Sequence, residues 1–357
     1  MIDTHTFSVQ KVERSRISEI DFDHLDFGKY VSDHMFTAIY EHGEWQNPEL
    51  KPYGAITMAP TTLALHYGQS VFEGMKAFHM KDGNISIFRL ESHYDRFCKS
   101  LERMCIPIVP FQLFADGIKA LVELDKDWVP TAEGASLYIR PFAFASEERF
   151  GVKISDEYKF IIFAGPVGPY YVKPLRVKVE DHYIRAAHGG TGFAKCAGNY
   201  GGAFYPTKKA KEEGFDQVLW TDGSPELNIE ESGTMNVMFV INNTLCTPPL
   251  SDSILSGITR DSYLHLAKDL GFNAKECNIN AQLLIDAFKD GTIKEAFGAG
   301  TAAVAAPIQT INIKGKDYEL PKVDPNSFSQ KAKRLLTDIR IGVAPDKYNW
   351  NTVLKEN

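Results

Sequence analysis

Residues 189–202 read GGTGFAKCAGNYGG and place one lysine, Lys195, among six glycines. Glycine lets a backbone turn tightly and lets a ligand approach it closely. A lysine that is desolvated in such a segment can act as a Schiff-base nucleophile. The same residues also suit a flexible surface loop with a solvated lysine, so this stretch alone leaves both interpretations open.

An acidic motif follows the lysine at residues 230–236, which read EESGTMN and lead into an apolar strand pattern. A carboxylate at the edge of a strand, beside a Gly-Thr turn, can meet the nitrogen of a heterocycle. A turn with exposed carboxylates is the alternative interpretation of the same residues.

Residues 256–261, SGITRD, predict the start of a helix. The free N–H groups and the dipole at a helix N-terminus suit a phosphate group. Simple capping of the helix by Ser256 explains the serine equally well.

Residues 298–303 read GAGTAA and formally match the dinucleotide fingerprint G-x-G-x-x-G/A. However, Pro307 would end a following helix within one turn, and no strand–helix–strand unit surrounds the match. We therefore interpret the stretch as a loop of small residues that lets a ligand touch backbone amides. A close-packed turn is the alternative.

The composition is that of a globular chain of roughly two domains. The chain has 357 residues, of which 44% are hydrophobic and 24% are charged. Its formal net charge of −7 argues against a nucleic-acid-binding protein. The five cysteines form no C-x-x-C motif, and the histidines lack partners at ligand spacing. We therefore predict neither a disulfide framework nor a metal site.

The chain also lacks the patterns of targeting and membrane insertion. No stretch resembles the apolar core of a signal peptide, and none reaches the length of a membrane span. Together with the low cysteine content, this predicts a cytoplasmic protein in a reducing compartment, without a membrane partner.

Residues 165–174, GPVGPYYVKP, contain three prolines and two glycines and predict an interdomain connection. We place a smaller N-terminal α/β domain at 1–168, a connecting loop at 169–182 and a larger C-terminal domain at 183–357. Periodicity predicts helices at 91–105, 111–124, 258–270, 281–288 and 328–339. It predicts strands at 85–88, 135–145, 158–164, 217–221 and 237–241, and a strand or turn at 308–313. Helices and strands do not alternate strictly, which favours an α+β fold.

Taken in order, several motifs resemble the class IV aminotransferases. They are ALHY at 64–67, FEGMKAF at 72–78, YDR at 94–96 and YIRP at 138–141, followed by the lysine segment, ESGTMN at 231–236 and GTAA at 300–303. Members of this family use pyridoxal 5'-phosphate on the two-domain D-amino-acid aminotransferase-like fold, fold type IV. More narrowly, the chain is similar to the branched-chain amino acid aminotransferases from about Phe27 to the C-terminal region.

The resemblance implies a role for each motif around pyridoxal 5'-phosphate. Lys195 would form the Schiff base and move the α-proton of the substrate. Glu231 would meet the pyridine nitrogen, Tyr200 the phenolic oxygen and Arg96 the phosphate. The remaining cofactor positions implied by the resemblance are Thr234, the backbone amides of Ile258 and Thr259, and the Thr301 hydroxyl. Lys195 lies in the C-terminal domain, which would therefore anchor the cofactor.

The resemblance also implies the substrates. Leucine, isoleucine or valine would give its amino group in one half-reaction, and 2-oxoglutarate would receive it in the other to form glutamate. One pocket must then accept both an apolar branch and a carboxylate. Arg140 would meet the side-chain carboxylate, and amides near Thr301 and Ala302 the α-carboxylate. The implied apolar and phenolic wall consists of Phe27, Tyr67, Tyr138, Val152 and Tyr170.

Family members form homodimers whose neighbouring subunits complete each pocket, so Tyr67 and Val152 are expected to reach across, and the segment near Tyr170 to act as a lid. Some relatives carry a redox-active C-x-x-C where this chain has Ala303 and Ala306, so we predict no thiol switch there. Glu73 receives no role.

Three other functions remain open. A D-amino-acid aminotransferase or an aminodeoxychorismate lyase would keep the fold and the cofactor. A nicotinamide-dependent dehydrogenase using residues 298–303 would bind a nucleotide and form no Schiff base. A binding protein that has lost its chemistry is disfavoured, because drift would not be expected to spare Lys195, Tyr200, Glu231 and Arg96 together.

Overall fold

The computed structural model describes residues 7–168 and 173–355, and these fall into two compact units. The first unit contains residues 7–168, 194–198 and 339–355. The second contains residues 173–193 and 199–338. Residues 194–198 and 339–355 of the first unit lie within the range 183–357 that the sequence predicts as the C-terminal domain.

The strands and helices are named here in chain order. The strands are β1 (Ser8–Val9), β2 (His34–Glu41), β3 (Glu44–Pro52), β4 (Ser70–Phe72), β5 (Met75–His79), β6 (Ile85–Phe88), β7 (Ser136–Ala145), β8 (Tyr158–Val167), β9 (Leu175–Val179), β10 (Gln217–Thr221), β11 (Ile229–Ser232), β12 (Met235–Ile241), β13 (Thr244–Thr247), β14 (Asn273–Glu276), β15 (Ile293–Gly300), β16 (Val304–Ile313), β17 (Lys316–Glu319) and β18 (Asn351–Leu354). The helices are α1 (Leu63–Tyr67), α2 (Leu90–Arg103), α3 (Phe111–Leu124), α4 (Gly198–Gly201), α5 (Phe204–Glu212), α6 (Ile258–Asp269), α7 (Ala281–Lys289) and α8 (Phe328–Arg340).

A nine-stranded sheet forms the first unit. Its strand order is β1-β3-β2-β8-β7-β5-β6-β18, and β4 pairs with β7 beside β5. Helix α3 packs across β2, β3 and β8, while α2 packs on β4. Both helices present an apolar stripe to the sheet, and the aromatic rings of Phe97, Phe114 and Phe160 meet in the core between them. This packing fixes the position of α2, which carries Arg96.

The second unit is built on a second nine-stranded sheet that closes on itself. The path β11-β10-β9-β16-β15-β12 returns to its start because β11 also pairs with β12. The remaining strands extend this ring, with β13 and β14 beyond β12 and β17 on β16. Such closure removes free strand edges, and apolar side chains such as Val177, Val237 and Ile311 fill the core.

Most predicted elements are confirmed by the structure. The predicted helix at 111–124 and the strands at 85–88 and 217–221 have the bounds that the sequence indicated. Helix α7 begins after Asn280, whose side chain accepts a hydrogen bond from the N–H of Leu283 and so caps the helix. Among the described residues, no helix is long and apolar enough to cross a membrane.

Several predicted boundaries differ from the structure by a few residues, and the end of β8 is one of them. The strand expected to stop at residue 164 runs on as β8 to Val167, through Gly165 and Pro166. Its neighbour β2 pairs with β8 only as far as Phe163, so the missing N–H of Pro166 breaks no ladder on that side. Gly165 lies against the backbone of Tyr30, where an added Cβ would stand 2.1 Å from the carbonyl oxygen.

Candidate active site

In the first unit, the residues around Lys195 are attached to β4 by an isolated β-bridge between Val71 and Cys196. The N–H of Phe72 donates to the carbonyl of Lys195 at 3.0 Å, and the N–H of Ala197 donates to the carbonyl of Ser70 at 3.0 Å. Cys196 is buried in the core beside this pairing. The backbone around Lys195 is therefore held on both sides, which argues against a free surface loop.

A buried serine on α2 also holds the lysine. The hydroxyl of Ser100 accepts a hydrogen bond from the N–H of Lys195 at 2.9 Å and donates to the carbonyl of Arg96 at 3.0 Å. Ser100 thus links the backbone of the lysine segment to the turn of α2 that carries the arginine. The two predicted cofactor residues of the first unit share one rigid support.

The amine of Lys195 and the guanidinium of Arg140 lie near the same aromatic ring. The Lys195 Nζ is 4.9 Å from the centroid of the Phe72 ring, and the Arg140 Cζ is 4.6 Å from it. Both contacts are in the range of cation–π attraction. The Arg140 Nε is buried and has no hydrogen-bond partner among the described residues. A buried guanidinium nitrogen without an acceptor is suited to an incoming carboxylate.

Tyr138 and Phe27 complete a small aromatic group beside Arg140. The Tyr138 hydroxyl accepts a hydrogen bond from Arg140 Nη2 at 3.2 Å, and its ring meets that of Phe27 edge to face at 5.0 Å. Gly74 makes room for this hydroxyl, since a Cβ there would lie 1.9 Å from the Tyr138 oxygen. Three of the predicted substrate residues are thus brought together in the first unit.

The two other predicted wall residues that the structure describes, Tyr67 and Val152, are exposed. Tyr67 is 42% exposed and donates a hydrogen bond from its hydroxyl to the carbonyl of Phe150 at 2.5 Å. Val152 is 78% exposed. Tyr170 lies outside the described residues. The expectation that Tyr67 and Val152 reach into a neighbouring subunit stays a prediction.

Arg96 is held by a residue to which the sequence analysis assigned no role. Its Nε and Nη2 donate to the two carboxylate oxygens of Glu73 at 2.7 and 2.8 Å. His93, one turn earlier on α2, contributes its Nδ1 to Glu73 Oε2 at 2.8 Å. All three side chains are at most 6% exposed. The arginine is therefore a buried, oriented group and not a solvated one.

The charges in this cluster follow from its contacts. Burial alone would raise the pKa of Glu73, but the charge of Arg96 and the hydrogen bonds from Arg96 and His93 hold that pKa well below its usual range. Burial lowers the pKa of His93, and the charges of Arg96 and Lys195 lower it further against the pull of Glu73. His93 is then neutral and donates its Nδ1–H to an ionised Glu73. Both cations are close enough to act on the same imidazole.

In the second unit, Glu231 is a buried carboxylate at the end of β11. Its Oε1 accepts a hydrogen bond from the N–H of Leu255 at 2.8 Å, and its Oε2 lies 3.0 Å from Arg185 Nε. Asn236 faces it across the β11–β12 pair. The neighbouring Glu230 is different, because burial raises its pKa and its carboxylate meets the hydroxyl of Ser253. Of the two acidic residues in the motif, only Glu231 is paired with a cation among the described residues.

The start of α6 is tied to the same carboxylate. The N-cap of α6 is Gly257, so Ser256 does not occupy the N-cap position that the alternative interpretation gave it. Asn236 Nδ2 donates to the carbonyl of Leu255 at 2.8 Å, and a Cβ at Gly257 would stand 1.8 Å from Asn236 Oδ1. The first N–H groups of α6, including those of Ile258 and Thr259, are therefore fixed relative to Glu231 and suit a phosphate.

Residues 298–303 form a hairpin and not a nucleotide loop. Gly298 and Gly300 end β15, and β16 follows at Val304 with no helix after the glycines. This excludes the dinucleotide fold for the motif, whose glycines must open a helix. Thr301 and Ala302 form the turn between the two strands. Gly298 packs on Met235, where a Cβ would lie 2.5 Å from the methyl carbon, so close packing explains this glycine.

The other two predicted cofactor residues of the second unit are Tyr200 and Thr234. Tyr200 is a half-buried residue of the short helix α4, five residues after Lys195. Thr234 is exposed at the turn between β11 and β12, next to Gly233, whose φ of 57° is left-handed. The geometry therefore leaves both side chains accessible to a ligand.

Arg185 is a functional candidate that the sequence analysis missed. Besides Glu231, it reaches two backbone carbonyls, donating from Nη2 to Gly192 at 2.9 Å and to Ser253 at 2.5 Å. Its side chain is only 10% exposed. No local pattern marks this arginine, because its partners lie between seven and 68 residues away in the chain.

Comparisons with known proteins show the family of this chain. The family model "Amino-transferase class IV" matches residues 70–311. Branched-chain-amino-acid transaminase 1 of Bacillus subtilis (strain 168) is 44% identical over 331 residues, which cover 91% of this chain and 93% of that protein. A probable branched-chain-amino-acid aminotransferase of Staphylococcus aureus (strain N315) is 42% identical over 335 residues, covering 92% and 93%.

Solved structures show the same fold. The branched-chain aminotransferase of the thermophilic archaeon Thermoproteus uzoniensis, crystallised with norvaline, has a TM-score of 0.74 at 25% identity and covers 90% of this chain and 99% of its own. A T.th. branched-chain amino acid aminotransferase complexed with N-(5'-phosphopyridoxyl)-L-glutamate has a TM-score of 0.71 at 25% identity, covering 88% and 97%. The predicted fold class and family are confirmed. The chain belongs to the class IV amino-transferase family and is a transaminase.

Proposed function

We propose that this transaminase moves the amino group of leucine, isoleucine or valine to 2-oxoglutarate, giving the 2-oxo acid and L-glutamate in a ping-pong cycle. The observation that carries the proposal is the pairing of Lys195 Nζ and Arg140 around the Phe72 ring. The amine of Lys195 thus lies near a half-buried guanidinium whose Nε is buried and can donate to a second carboxylate. The names of the relatives support branched-chain donors.

The cofactor of the proposal is pyridoxal 5'-phosphate, and the donor set of this chain fits its groups. A lysine whose backbone is fixed suits the aldehyde, while the buried Arg96 and the N–H groups at the start of α6 suit the phosphate. The buried carboxylate of Glu231 suits the ring nitrogen. When bound, the cofactor supplies an electron-accepting ring. Two related T.th. structures were solved with phosphopyridoxyl-glutamate and with pyridoxamine 5'-phosphate.

Each residue then has a defined task. Lys195 would hold the cofactor through its amine, and the same amine would serve as the base that moves the α-proton of the substrate. Glu231 stabilises a proton on the ring nitrogen, and Tyr200 donates to the phenolic oxygen. Arg96 binds the phosphate. The same phosphate would be met by the amides of Ile258 and Thr259 and the hydroxyl of Thr301, with Thr234 close by.

The substrate pocket must accept two different side chains. Arg140 would pair with the side-chain carboxylate of 2-oxoglutarate, and the aromatic faces of Phe27 and Tyr138 would pack on an aliphatic branch. The amide near Ala302 would meet the α-carboxylate. The further wall positions of the proposal are Tyr67, Val152 and Tyr170, of which Tyr170 lies outside the described residues.

The absorption spectrum of the purified protein tests the proposal. Bound cofactor on Lys195 should give a visible band that L-leucine bleaches and 2-oxoglutarate restores. Lys195→Ala should lack this band and lose at least about a thousandfold in kcat, because the covalent attachment and the proton carrier are both removed. Lys208→Ala, at a lysine with 75% exposure in the second unit, should match the unaltered enzyme.

Other outcomes would change the proposal. A band that responds to D-alanine and not to L-leucine would support the proposed cofactor but contradict the proposed substrate. That result would favour a D-amino-acid aminotransferase. A protein that stays colourless after incubation with pyridoxal 5'-phosphate would overturn the cofactor and the reaction together.

A further inference from the structure

We propose that Glu73 is a positioning residue that orients Arg96 toward the phosphate of the cofactor, with His93 as its support. The inference rests on the proposed function, in which Arg96 binds that phosphate. Neither Glu73 nor His93 would touch the cofactor. Their task is to fix the plane of the guanidinium before the anion arrives.

The two-point contact between Glu73 and Arg96 sets that plane. A carboxylate that engages Nε and Nη2 together allows one orientation of the guanidinium, whereas a single contact would let it rotate. An arginine with a fixed plane loses less rotational freedom on binding a phosphate, so more of the interaction energy appears as affinity.

Glu73 is itself fixed from three directions. Its N–H donates to the carbonyl of Pro141 at 2.7 Å, and its Oε2 accepts from the N–H of Gly74 at 3.1 Å and from His93 Nδ1 at 2.8 Å. Its side chain is fully buried. A carboxylate with this many donors cannot move without breaking buried hydrogen bonds, which makes it a rigid reference for the arginine.

The same two elements hold the lysine. Phe72, directly before Glu73, donates its N–H to the Lys195 carbonyl, and Ser100 on α2 accepts from the Lys195 N–H. The end of β4 and one face of α2 therefore fix both the lysine backbone and the arginine side chain. The distance between the carbonyl-binding amine and the phosphate-binding guanidinium is set by this shared support.

Electrostatics alone would predict the opposite effect of Glu73. An ionised carboxylate beside the arginine offsets part of its charge, so removing the carboxylate would strengthen attraction for a dianion if charge decided the affinity. If orientation decides it, removing the carboxylate weakens binding. The sign of the change in phosphate affinity therefore separates positioning from charge.

The test compares two ligands that differ only in the phosphate. Apoenzyme is titrated with pyridoxal 5'-phosphate and with pyridoxal, and both dissociation constants are read from the visible absorption band. Glu73→Gln should weaken pyridoxal 5'-phosphate on the order of tenfold, as for residues that orient ligating side chains, and leave pyridoxal unchanged. Combined with Arg96→Gln, it should add almost nothing, because the lost orientation matters only while the arginine is present.

Asp125→Asn is the matched control. Asp125 is a buried carboxylate of the same unit that accepts from His34 Nδ1 at 2.5 Å, remote in sequence from the cofactor motifs. It should lower stability without changing the ratio of the two dissociation constants. If Glu73→Gln does not fold, His93→Leu replaces it, with a smaller expected loss of affinity that is confined to pyridoxal 5'-phosphate.

The outcomes separate the inference from the proposed function. In one outcome, the unaltered enzyme binds both ligands and Glu73→Gln prefers pyridoxal 5'-phosphate over pyridoxal at least as strongly. That outcome would overturn the positioning role alone. An equal loss for both ligands would also overturn it, since that indicates a general structural role. An unaltered enzyme that binds neither ligand would overturn the proposed function and this inference with it.

Discussion

At the scale of single residues, the buried carboxylate Glu231 depends on Arg185. The two side chains are 3.0 Å apart and nearly excluded from solvent. Removing one partner of a buried ion pair leaves the other charge uncompensated. If Glu231 became neutral for that reason, it could no longer stabilise the protonated ring nitrogen that the proposed function requires.

We therefore expect Arg185→Met to lower kcat on the order of tenfold, with a smaller change in KM. The reason is that the electron-accepting ring depends on the protonated nitrogen throughout the proposed reaction. Steady-state kinetics with L-leucine and 2-oxoglutarate measure it. Arg176→Met, at an exposed arginine of the same unit paired with Asp317, serves as the control. Equal kinetics for the two variants would contradict the role of Arg185.

The sequence predicted roles for some of the charged residues in the candidate site and not for others. Lys195 and Arg96 stand in recognisable motifs, so they could be named before their surroundings were known. Glu73 stands in a motif too, but its partner is 23 residues away, and the contact belongs to the fold. A signal did exist on α2, where His93, Arg96 and Ser100 occupy buried positions of the apolar face. Polar residues on a buried helix face need partners, which marks them for function.

At the scale of elements, β8 depends on a glycine for its last paired residues. Gly165 approaches the backbone of Tyr30 so closely that an added methyl group would overlap the carbonyl oxygen. Gly165→Ala should therefore lower the free energy of unfolding by about 1–3 kcal/mol, the usual cost of overpacking. Urea denaturation measures this change. Gly54→Ala is the control, because nothing lies within 4 Å of its added Cβ. A stable Gly165→Ala variant would show that the Tyr30 segment can move aside.

Local periodicity predicted the helices well and the sheet connections not at all. An amphipathic helix can be predicted from its own residues alone. In the helix at 111–124, the buried apolar residues recur with helical spacing. Strand β11 pairs with β12 to close the second sheet, and β18 pairs with β6 in the first. Each pairing requires that particular residues of two strands face each other. Register depends on partners elsewhere in the chain, so no single segment encodes it.

At the scale of the whole molecule, several large apolar side chains of the first unit are exposed together. Phe150 and Val152 are 80% and 78% exposed, and Ile154 and Leu65 are each 59% exposed. Tyr67 is bonded to the carbonyl of Phe150 within the same region. An apolar patch of this kind is typical of an interface. We propose that a second copy of the chain covers it, as the resemblance to homodimeric enzymes implied.

Val152→Asp should therefore shift the protein toward monomers, because a buried charge without a partner is costly at an interface. Light scattering after size-exclusion chromatography measures the mass. Val343→Asp is the control, at a valine of the first unit that is 55% exposed and outside this apolar patch. A Val152→Asp variant with the mass and activity of the unaltered protein would argue against this surface as the interface.

The pairing of the early strand β6 with the late strand β18 has a consequence during synthesis of the chain. Most of the first unit is formed by residues up to 168. It also contains residues 194–198 and the late strand β18, which pairs with β6. The ribosome makes nearly all of the second unit before β18 appears. At roughly 5–20 residues per second, β6 waits on the order of ten seconds or more for its neighbour. During that time the nascent sheet has an open edge, which makes newly made chains more prone to aggregation than finished ones.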